Sequence, residues 1–239
     1  MQWNQKVWRH VVAVTLAIVE LLVVAMIPVA QADPKPKVLS LDSSPYGNTY
    51  GEWSARWWQW LMAIPEATNP NFDPTGANCA VGQVGPVWFL AGAFGGSFTR
   101  SCTVPAGKAL LLTPLTQLNG SGAFDCEPTA PGLCNLNTLR ALAAAFADNP
   151  TTLEVVVDGH PLKNVGDQRV QSPVFSLTYP EGAVFGLPSG TFTPNLSDGY
   201  WLLLAPLSAG VHSIHLKAVT NPTVGSFAVE VTYHLTIAP

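Results

Sequence analysis

The residues with the clearest potential for chemistry lie on the last two predicted strands of the chain. His215 belongs to the first of these strands, and Glu230 and His234 face outward on the second. If the two strands form a hairpin, His215 lies opposite or diagonal to Glu230, and His234 lies four residues further along. Two imidazoles and a carboxylate suit a divalent transition metal or acid–base catalysis. A strand with one buried and one solvated face also places polar residues at these positions. We therefore favour the interpretation that they lie on a solvated sheet face without a chemical role.

A tryptophan-rich segment is the most distinctive feature of the chain. Four tryptophans lie between residues 53 and 60, and Trp53, Trp57 and Trp60 share one face of a predicted helix. That face predicts packing into a core, since each aromatic ring buries roughly 150–250 Å². Trp58 lies off the face. We therefore expect Trp58 to be exposed and to be the ligand-binding residue if the helix is a stacking platform for sugar rings.

An oxygen-rich loop follows this helix. Asn69, Asn71 and Asp73 have the alternate spacing of a calcium-binding loop. The glycine at the sixth position and the acid at the twelfth, which such a loop requires, are both missing. The sequence therefore favours ordinary loop chemistry at this position.

The remaining polar candidates are also explained by turns. Asp158, His160 and Asp167 lie close together and could contribute to a Ser–His–Asp set, but an Asp-Gly hairpin turn explains them better. Asp125 and Glu127 are interpreted as solvated acids. The chain contains no G-x-S-x-G, HExxH, P-loop or GxGxxG motif. No catalytic mechanism is therefore indicated, and the sequence leans away from an enzyme.

The elements that position these residues are short and mainly β. Helices are predicted near 52–64, after a Thr-x-x-Glu capping box, and near 136–148. Strands of alternating hydrophobicity separated by Gly, Pro and Asp-Gly turns predict one β-sandwich domain over 49–239, of jelly-roll or immunoglobulin-like type, with the helices at an end or edge. The expected strands are 86–91, 109–113, 151–157, 174–179, 200–207, 211–218 and 227–237, with turns at 93–99 and over 180–199.

His212 lies on the opposite face of its strand from His215. We expect it to be a histidine of the core or of an interface, with its hydrogen bonds satisfied.

The N-terminus has the three parts of a secretory signal. Lys6 and Arg9 precede a long apolar run, which ends at Ala30-Gln31-Ala32. This layout predicts a signal peptide over 1–32, cleaved after Ala32, followed by an exposed lead-in over 33–48. The apolar run is also long enough to remain as a membrane anchor. The expected location is outside the cell, in the periplasm or in the cell envelope.

Cysteine usage agrees with export. All four cysteines follow the predicted signal peptide, and an even count in an exported chain indicates disulfides. We expect pairing between sequence neighbours, Cys79 with Cys102 and Cys126 with Cys134. No C-x-x-C motif indicates a zinc site, so no cofactor is predicted, although a divalent metal stays open.

Composition limits the partners. Only 11 % of the 239 residues are charged, the net charge is −4, and no basic run occurs. A nucleic-acid partner is therefore excluded. Membrane contact is expected only through an uncleaved N-terminal segment.

The segments GEWSARWWQW, GPVWFLAG, CTVPAGKALLL and GYWLLLAPLSAGVHSIHL resemble an uncharacterised family of secreted bacterial proteins. The resemblance implies export from a bacterium and brings no activity, cofactor or site residue with it. Taken together, the sequence predicts an extracellular binding protein for a glycan or a surface partner. The alternative is an extracellular hydrolase or metal-dependent enzyme that uses His215, Glu230 and His234.

Overall fold

Two five-stranded sheets form the fold, as the alternating segments predict. The computed structural model describes residues 35–120 and 135–239. The predicted signal peptide, Cys126, Cys134, Asp125 and Glu127 lie outside the described residues. The strands are β1 Val87–Phe89, β2 Gly96–Pro105, β3 Ala109–Gly120, β4 Thr152–Val157, β5 His160–Pro161, β6 Arg169–Gln171, β7 Phe175–Tyr179, β8 Gly190–Leu204, β9 Gly210–Val219 and β10 Ala228–Ala238.

The sandwich is mixed in strand direction. The first sheet has the order β1-β3-β8-β6, with β7 also paired to β8, and the second has the order β2-β10-β9-β4-β5. The last two long strands do form the hairpin that the histidine–glutamate hypothesis assumed, because β9 and β10 pair antiparallel with Thr232 opposite His215. β2 pairs with β10 in parallel and forms an edge of the second sheet.

The first sheet is buried on both of its faces. Leu110, Leu202 and Leu204 face the second sheet and pack against residues such as Ile214. Alternate residues of the same strands form a second core with a helix on the outer face of the sheet. The helix expected at an end or edge of the sandwich therefore covers a face. The continuous apolar runs of β3 and β8 require this arrangement, since a sheet with one solvated face would alternate.

The covering helix is α1, Tyr50–Met62, and it begins at the predicted capping box. The backbone N–H of Thr49 donates to Glu52 Oε2 at 2.7 Å, and the N–H of Glu52 donates to the Thr49 hydroxyl at 3.3 Å. The Glu52 carboxylate accepts the Thr49 N–H and also the Thr49 hydroxyl, at 2.9 Å, and these two bonds hold the pKa of Glu52 below its usual value. Trp53, Trp57 and Trp60 are buried as predicted. The tryptophan face is therefore part of the core.

The second helix, α2, spans Leu136–Ala147 and begins after Asn135, whose side chain accepts the N–H of Asn137. Leu139 and Ala143 pack on Leu196 of β8. Arg169 of β6 joins the helix to the sheet. Its guanidinium donates to the Ala144 carbonyl at 3.1 Å and to Asp198 Oδ1 of β8 at 2.9 Å, and a salt bridge reaches Asp148.

Two strand positions differ from the prediction. β2 begins at Gly96, inside the segment 93–99 that was expected to be a turn, and β8 begins at Gly190 inside the expected loop. Both segments are rich in glycine or proline, which are typical of turns. Pairing with a neighbouring strand overrides that local preference: Phe98 is in register with Val231, and Asn195 with Gly120.

The disulfide between Cys79 and Cys102 is confirmed, and it is compatible with an extracellular location. In the described parts of the chain, no helix combines the length and hydrophobicity needed to cross a bilayer. The described part of the expected lead-in lies along the first sheet, since the N–H of Leu39 donates to the Leu203 carbonyl at 2.8 Å.

Candidate functional site

A cavity lined by aromatic rings opens beside α1. Its volume is about 140 Å³, close to the roughly 150 Å³ that holds one benzene ring in an engineered protein core. Trp57 and Trp58 come from α1, and Phe94 comes from the connection between β1 and β2. Phe146 of α2 and Phe227, just before β10, complete the aromatic wall with their ring centroids 5.5 Å apart.

The polar part of the lining is neutral. Asn71, Thr113, Thr116 and Gln117 supply amides and hydroxyls, and none of the lining residues that the structure describes is charged. The Thr116 hydroxyl accepts the indole N–H of Trp58 at 3.3 Å and donates to the Asp198 carbonyl at 3.2 Å. Aromatic faces with a few amides and hydroxyls suit a ligand that is ring-shaped, uncharged and hydroxylated.

Trp58 is buried, with 4 % of its surface exposed, so the expectation that it is exposed is wrong. Its indole packs edge-on against Trp57 at 5.1 Å. The prediction assumed that α1 has one buried stripe, whereas the sheet and the following loop together enclose almost the whole helix. Trp58 therefore lies in the cavity wall, and its role in ligand binding stays a prediction.

Two buried oxygens in the wall have no hydrogen-bond partner among the described residues. They are Asn71 Oδ1 and Thr113 Oγ1, on side chains that are each 5 % exposed. An unsatisfied buried acceptor costs about 1–3 kcal/mol. Both oxygens are buried inside the wall itself, so this cost belongs to the packing behind the cavity surface.

The loop wall of the cavity is held by a buried guanidinium. Arg100 of β2 is 1 % exposed. It donates to the backbone carbonyls of Asn71 at 3.1 Å, Asp73 at 2.8 Å and Gly92 at 2.6 Å. It also donates to the Tyr233 hydroxyl at 3.2 Å. Because Asn71 and Gly92 line the cavity, Arg100 fixes the position of its wall.

The same guanidinium explains the oxygen-rich loop. The Asn69 side chain donates to the Leu61 carbonyl at the end of α1 and accepts the N–H of Asn71. The backbone carbonyls of the loop converge on Arg100. The backbone of this loop is therefore held by a cationic side chain of the protein itself.

The Asp73 carboxylate closes the loop on itself. It accepts from the N–H and hydroxyl of Thr75 at 2.8 and 2.7 Å and from the N–H of Asn78 at 2.7 Å. Burial alone raises the pKa of Asp73, but these hydrogen bonds outweigh burial and lower it. The folded chain therefore prefers the ionised form more strongly than the unfolded chain does.

We expect Asp73→Asn to lower the free energy of unfolding by about 1.5–3 kcal/mol at neutral pH, because an amide cannot accept all three bonds. The carboxylate stabilises the fold above its unfolded-state pKa, and this contribution is lost as the pH falls through the lower folded-state pKa. Urea denaturation along an acid pH series measures both effects. A variant that keeps the full acid sensitivity of the wild type contradicts this role for Asp73.

A cluster of three exposed phenylalanines adjoins the cavity through Phe94. Phe72, Phe94 and Phe185 form a triangle with ring centroids 4.8–5.4 Å apart, and they are 38–44 % exposed. Phe185 has a left-handed backbone with φ 59°, and its N–H donates to Glu66 Oε2 at 2.8 Å. A strained residue that presents an exposed ring is typical of binding surfaces.

The predicted histidine–glutamate cluster is brought together only in part. His215 Nε2 lies 3.5 Å from Glu230 Oε1 along a diagonal of the hairpin, and its Nδ1 lies 3.0 Å from the Thr232 hydroxyl. Lys217 also contacts Glu230, at 3.4 Å. His234 lies opposite Ser213 and is exposed. Within residues 35–120 and 135–239, no three His, Cys, Asp or Glu side chains are placed to hold a metal ion.

His212 is buried, as the sequence predicts, and its partner is Asp158. Asp158 Oδ2 lies 2.7 Å from His212 Nδ1, while Nε2 lies 2.9 Å from the Ser208 carbonyl and 3.4 Å from the Ser208 hydroxyl. Ser208, His212 and Asp158 are connected in the order of a Ser–His–Asp set. The Ser208 carbonyl, however, lies closer to Nε2 than the Ser208 hydroxyl does. A general base needs that nitrogen free to accept the hydroxyl proton. The arrangement therefore joins the β4–β5 turn to the loop before β9.

The other two members of that predicted set, His160 and Asp167, are solvent-exposed. The Asp-Gly turn is confirmed, with Asp158 at φ 50° and Gly159 at φ 73° between the paired residues Val157 and His160.

Apart from Asn71, which the sequence singled out only as part of the oxygen-rich loop, the cavity residues outside α1 were missed by the sequence reasoning. Phe94 lies between glycines in a segment that reads as a turn, and Arg100 is an isolated basic residue with no local motif. Comparison of the chain with protein-family models, with curated proteins and with solved structures finds no match.

Proposed function

We propose that the protein is an exported carbohydrate-binding protein whose aromatic cavity takes one neutral sugar ring. The observation that carries this proposal is the composition of the cavity wall, in which tryptophan and phenylalanine side chains are combined with uncharged amides and hydroxyls. A pyranose has an apolar C–H face that stacks on an aromatic ring and a rim of hydroxyls that pair with amides. The cavity volume of about 140 Å³ limits the bound part to a single ring.

Export is supported by two independent features. The first 32 residues have the layout of a signal peptide, and the Cys79–Cys102 disulfide is of the kind that persists in an oxidising compartment. The rest of a bound glycan would extend over the phenylalanine cluster, because Phe94 belongs to both surfaces.

Isothermal titration calorimetry with glucose, galactose, mannose, N-acetylglucosamine and glucuronate tests the proposal. We expect at least one neutral sugar to bind and glucuronate not to bind, since no lining residue that the structure describes is cationic. Trp58→Ala should weaken binding of that sugar three- to tenfold, because an aromatic contact contributes about 0.5–1.5 kcal/mol beyond its area.

The matched control is Trp60→Ala, which removes an indole from the same helix but not from the cavity. Circular dichroism of both variants checks that they are folded. Equal sugar affinity in the wild type and in folded Trp58→Ala would exclude the cavity as the sugar site.

A protein partner on the cell surface is the second candidate, and the phenylalanine cluster favours it. Three adjacent exposed rings have the composition of a binding hot spot. Replacement of Phe72 by Ser should then abolish partner capture while leaving monosaccharide binding intact, since Phe72 does not line the cavity.

A further inference from the structure

A second concavity, which we call the outer groove, lies beside α1 and shares no lining residue with the aromatic cavity. Its volume is about 470 Å³, within the usual size of small-molecule sites. The apolar walls are formed by Trp53, Trp60, Ile64, Pro86 and Phe89. One lip is Val84, an aliphatic side chain that is 80 % exposed.

The groove walls offer no free indole donor. The Trp53 indole N–H donates to the Pro45 carbonyl at 2.9 Å, and that of Trp60 donates to the Val81 carbonyl at 2.9 Å. The Gln59 amide, also in the lining, donates to the Ser176 carbonyl at 3.0 Å. A wall whose indole donors are already paired suits an alkyl chain.

The lining of the outer groove includes one cationic side chain. Arg56 is exposed, and its guanidinium lies 5.5 Å from the centroid of the Trp53 ring. In the described part of the chain, no carboxylate lies within salt-bridge distance of it. Glu52, one turn earlier, has its carboxylate bonded to Thr49 and interacts with Arg56 only through the longer-range attraction of their charges. No acidic side chain that the structure describes lines the groove.

From these features we infer that the outer groove binds a single-chain amphiphile with a carboxylate head, of the fatty-acid class. The alkyl chain lies along Trp60, Ile64 and Phe89, and the carboxylate pairs with the Arg56 guanidinium. The fork of N–H donors on an arginine matches a carboxylate in two parallel bonds. This site is independent of the sugar site, since the two concavities have different walls.

Calorimetric titration with octanoate, decanoate, decanol and decylammonium, each below its micelle concentration, tests the assignment. We expect decanoate to bind about tenfold or more tightly than octanoate, because each buried methylene contributes about fourfold in affinity. Decanol should bind about tenfold more weakly than decanoate, and decylammonium should bind more weakly still.

Two variants at exposed positions locate the site. Arg56→Gln should reduce decanoate affinity about tenfold and leave decanol unchanged. Val84→Asp, which puts a like charge at the lip, should weaken decanoate at least as much. Lys163→Gln removes an exposed cation that does not line the groove and serves as the matched control.

Four results would overturn the inference. The first three are no binding of decanoate to the wild type, equal binding of decanoate and decanol, and unchanged decanoate binding in both Arg56→Gln and Val84→Asp. A fourth is a wild-type dimer in sedimentation experiments that Val84→Asp dissociates, because the groove would then be covered by a second copy of the chain.

Discussion

Arg100→Met should lower the free energy of unfolding by about 3–5 kcal/mol, one of the largest single-residue effects in this protein. Methionine keeps most of the volume but removes the donors to the carbonyls of Asn71, Asp73 and Gly92. Those buried acceptors then lose charge-assisted bonds, which contribute about 1.5–3 kcal/mol each when partners are intact.

The neighbourhood of Arg100 shows why no other side chain can replace it. The Tyr233 hydroxyl donates to the Ala91 carbonyl at 2.7 Å while accepting from Arg100. Burial raises the pKa of this tyrosine, so it stays a neutral donor. A lysine at position 100 has a compact head that cannot span acceptors on two loop segments, and Arg100→Lys should be intermediate.

Urea denaturation measures these free energies. Arg56→Gln is the matched control, because it removes an exposed arginine and should change stability by less than about 0.5 kcal/mol. We also expect Arg100→Met to weaken sugar binding, since Asn71 and Gly92 line the cavity. Stability of Arg100→Met within about 0.5 kcal/mol of the wild type would show that the loop holds itself without the guanidinium.

Trp57→Ala should also cost about 3–5 kcal/mol, the usual range for truncating a large buried aromatic residue. Trp57 is 1 % exposed. Its ring contacts Trp58, Trp60 and Trp201 at centroid distances of 5.1, 6.0 and 5.5 Å. Its N–H donates to the Leu90 carbonyl at 3.0 Å. It therefore joins α1 to the first sheet.

Trp57→Phe separates packing from hydrogen bonding. The phenyl ring keeps most edge-to-face contacts but leaves the Leu90 carbonyl without its donor, and we expect a loss of about 1–3 kcal/mol. Leu142→Ala on α2 is the comparison, because Leu142 is 42 % exposed. If Trp57→Ala destabilises the protein no more than Leu142→Ala does, α1 is not part of the cooperative core.

Local patterns predicted the elements well where local chemistry decides them. The Thr49–Glu52 capping box predicted the start of α1, and strict alternation predicted β10 as a strand. The prediction failed where a segment becomes a strand only because a neighbouring strand pairs with it. β2 begins in a glycine-rich segment that only its parallel register with β10 makes a strand.

The candidate site was harder to predict because its residues come from distant parts of the chain. Asn71, Phe94 and Phe227 meet only through the sheet order and the buried Arg100. The sequence singled out Trp58 because it was expected to be exposed, but Trp58 is buried. A helical wheel cannot show that a loop covers the second side of a helix.

The central claim, a sugar ring in the aromatic cavity, is tested most directly by NMR of the tryptophan indole N–H groups. The Trp58 indole is bonded to Thr116 in the cavity wall, and the Trp60 indole is bonded to Val81 beside the outer groove. Titration with the sugar that binds in calorimetry should shift the Trp58 cross-peak, assigned with Trp58→Phe, and leave the Trp60 cross-peak in place. A stationary Trp58 cross-peak at saturating sugar would contradict the claim.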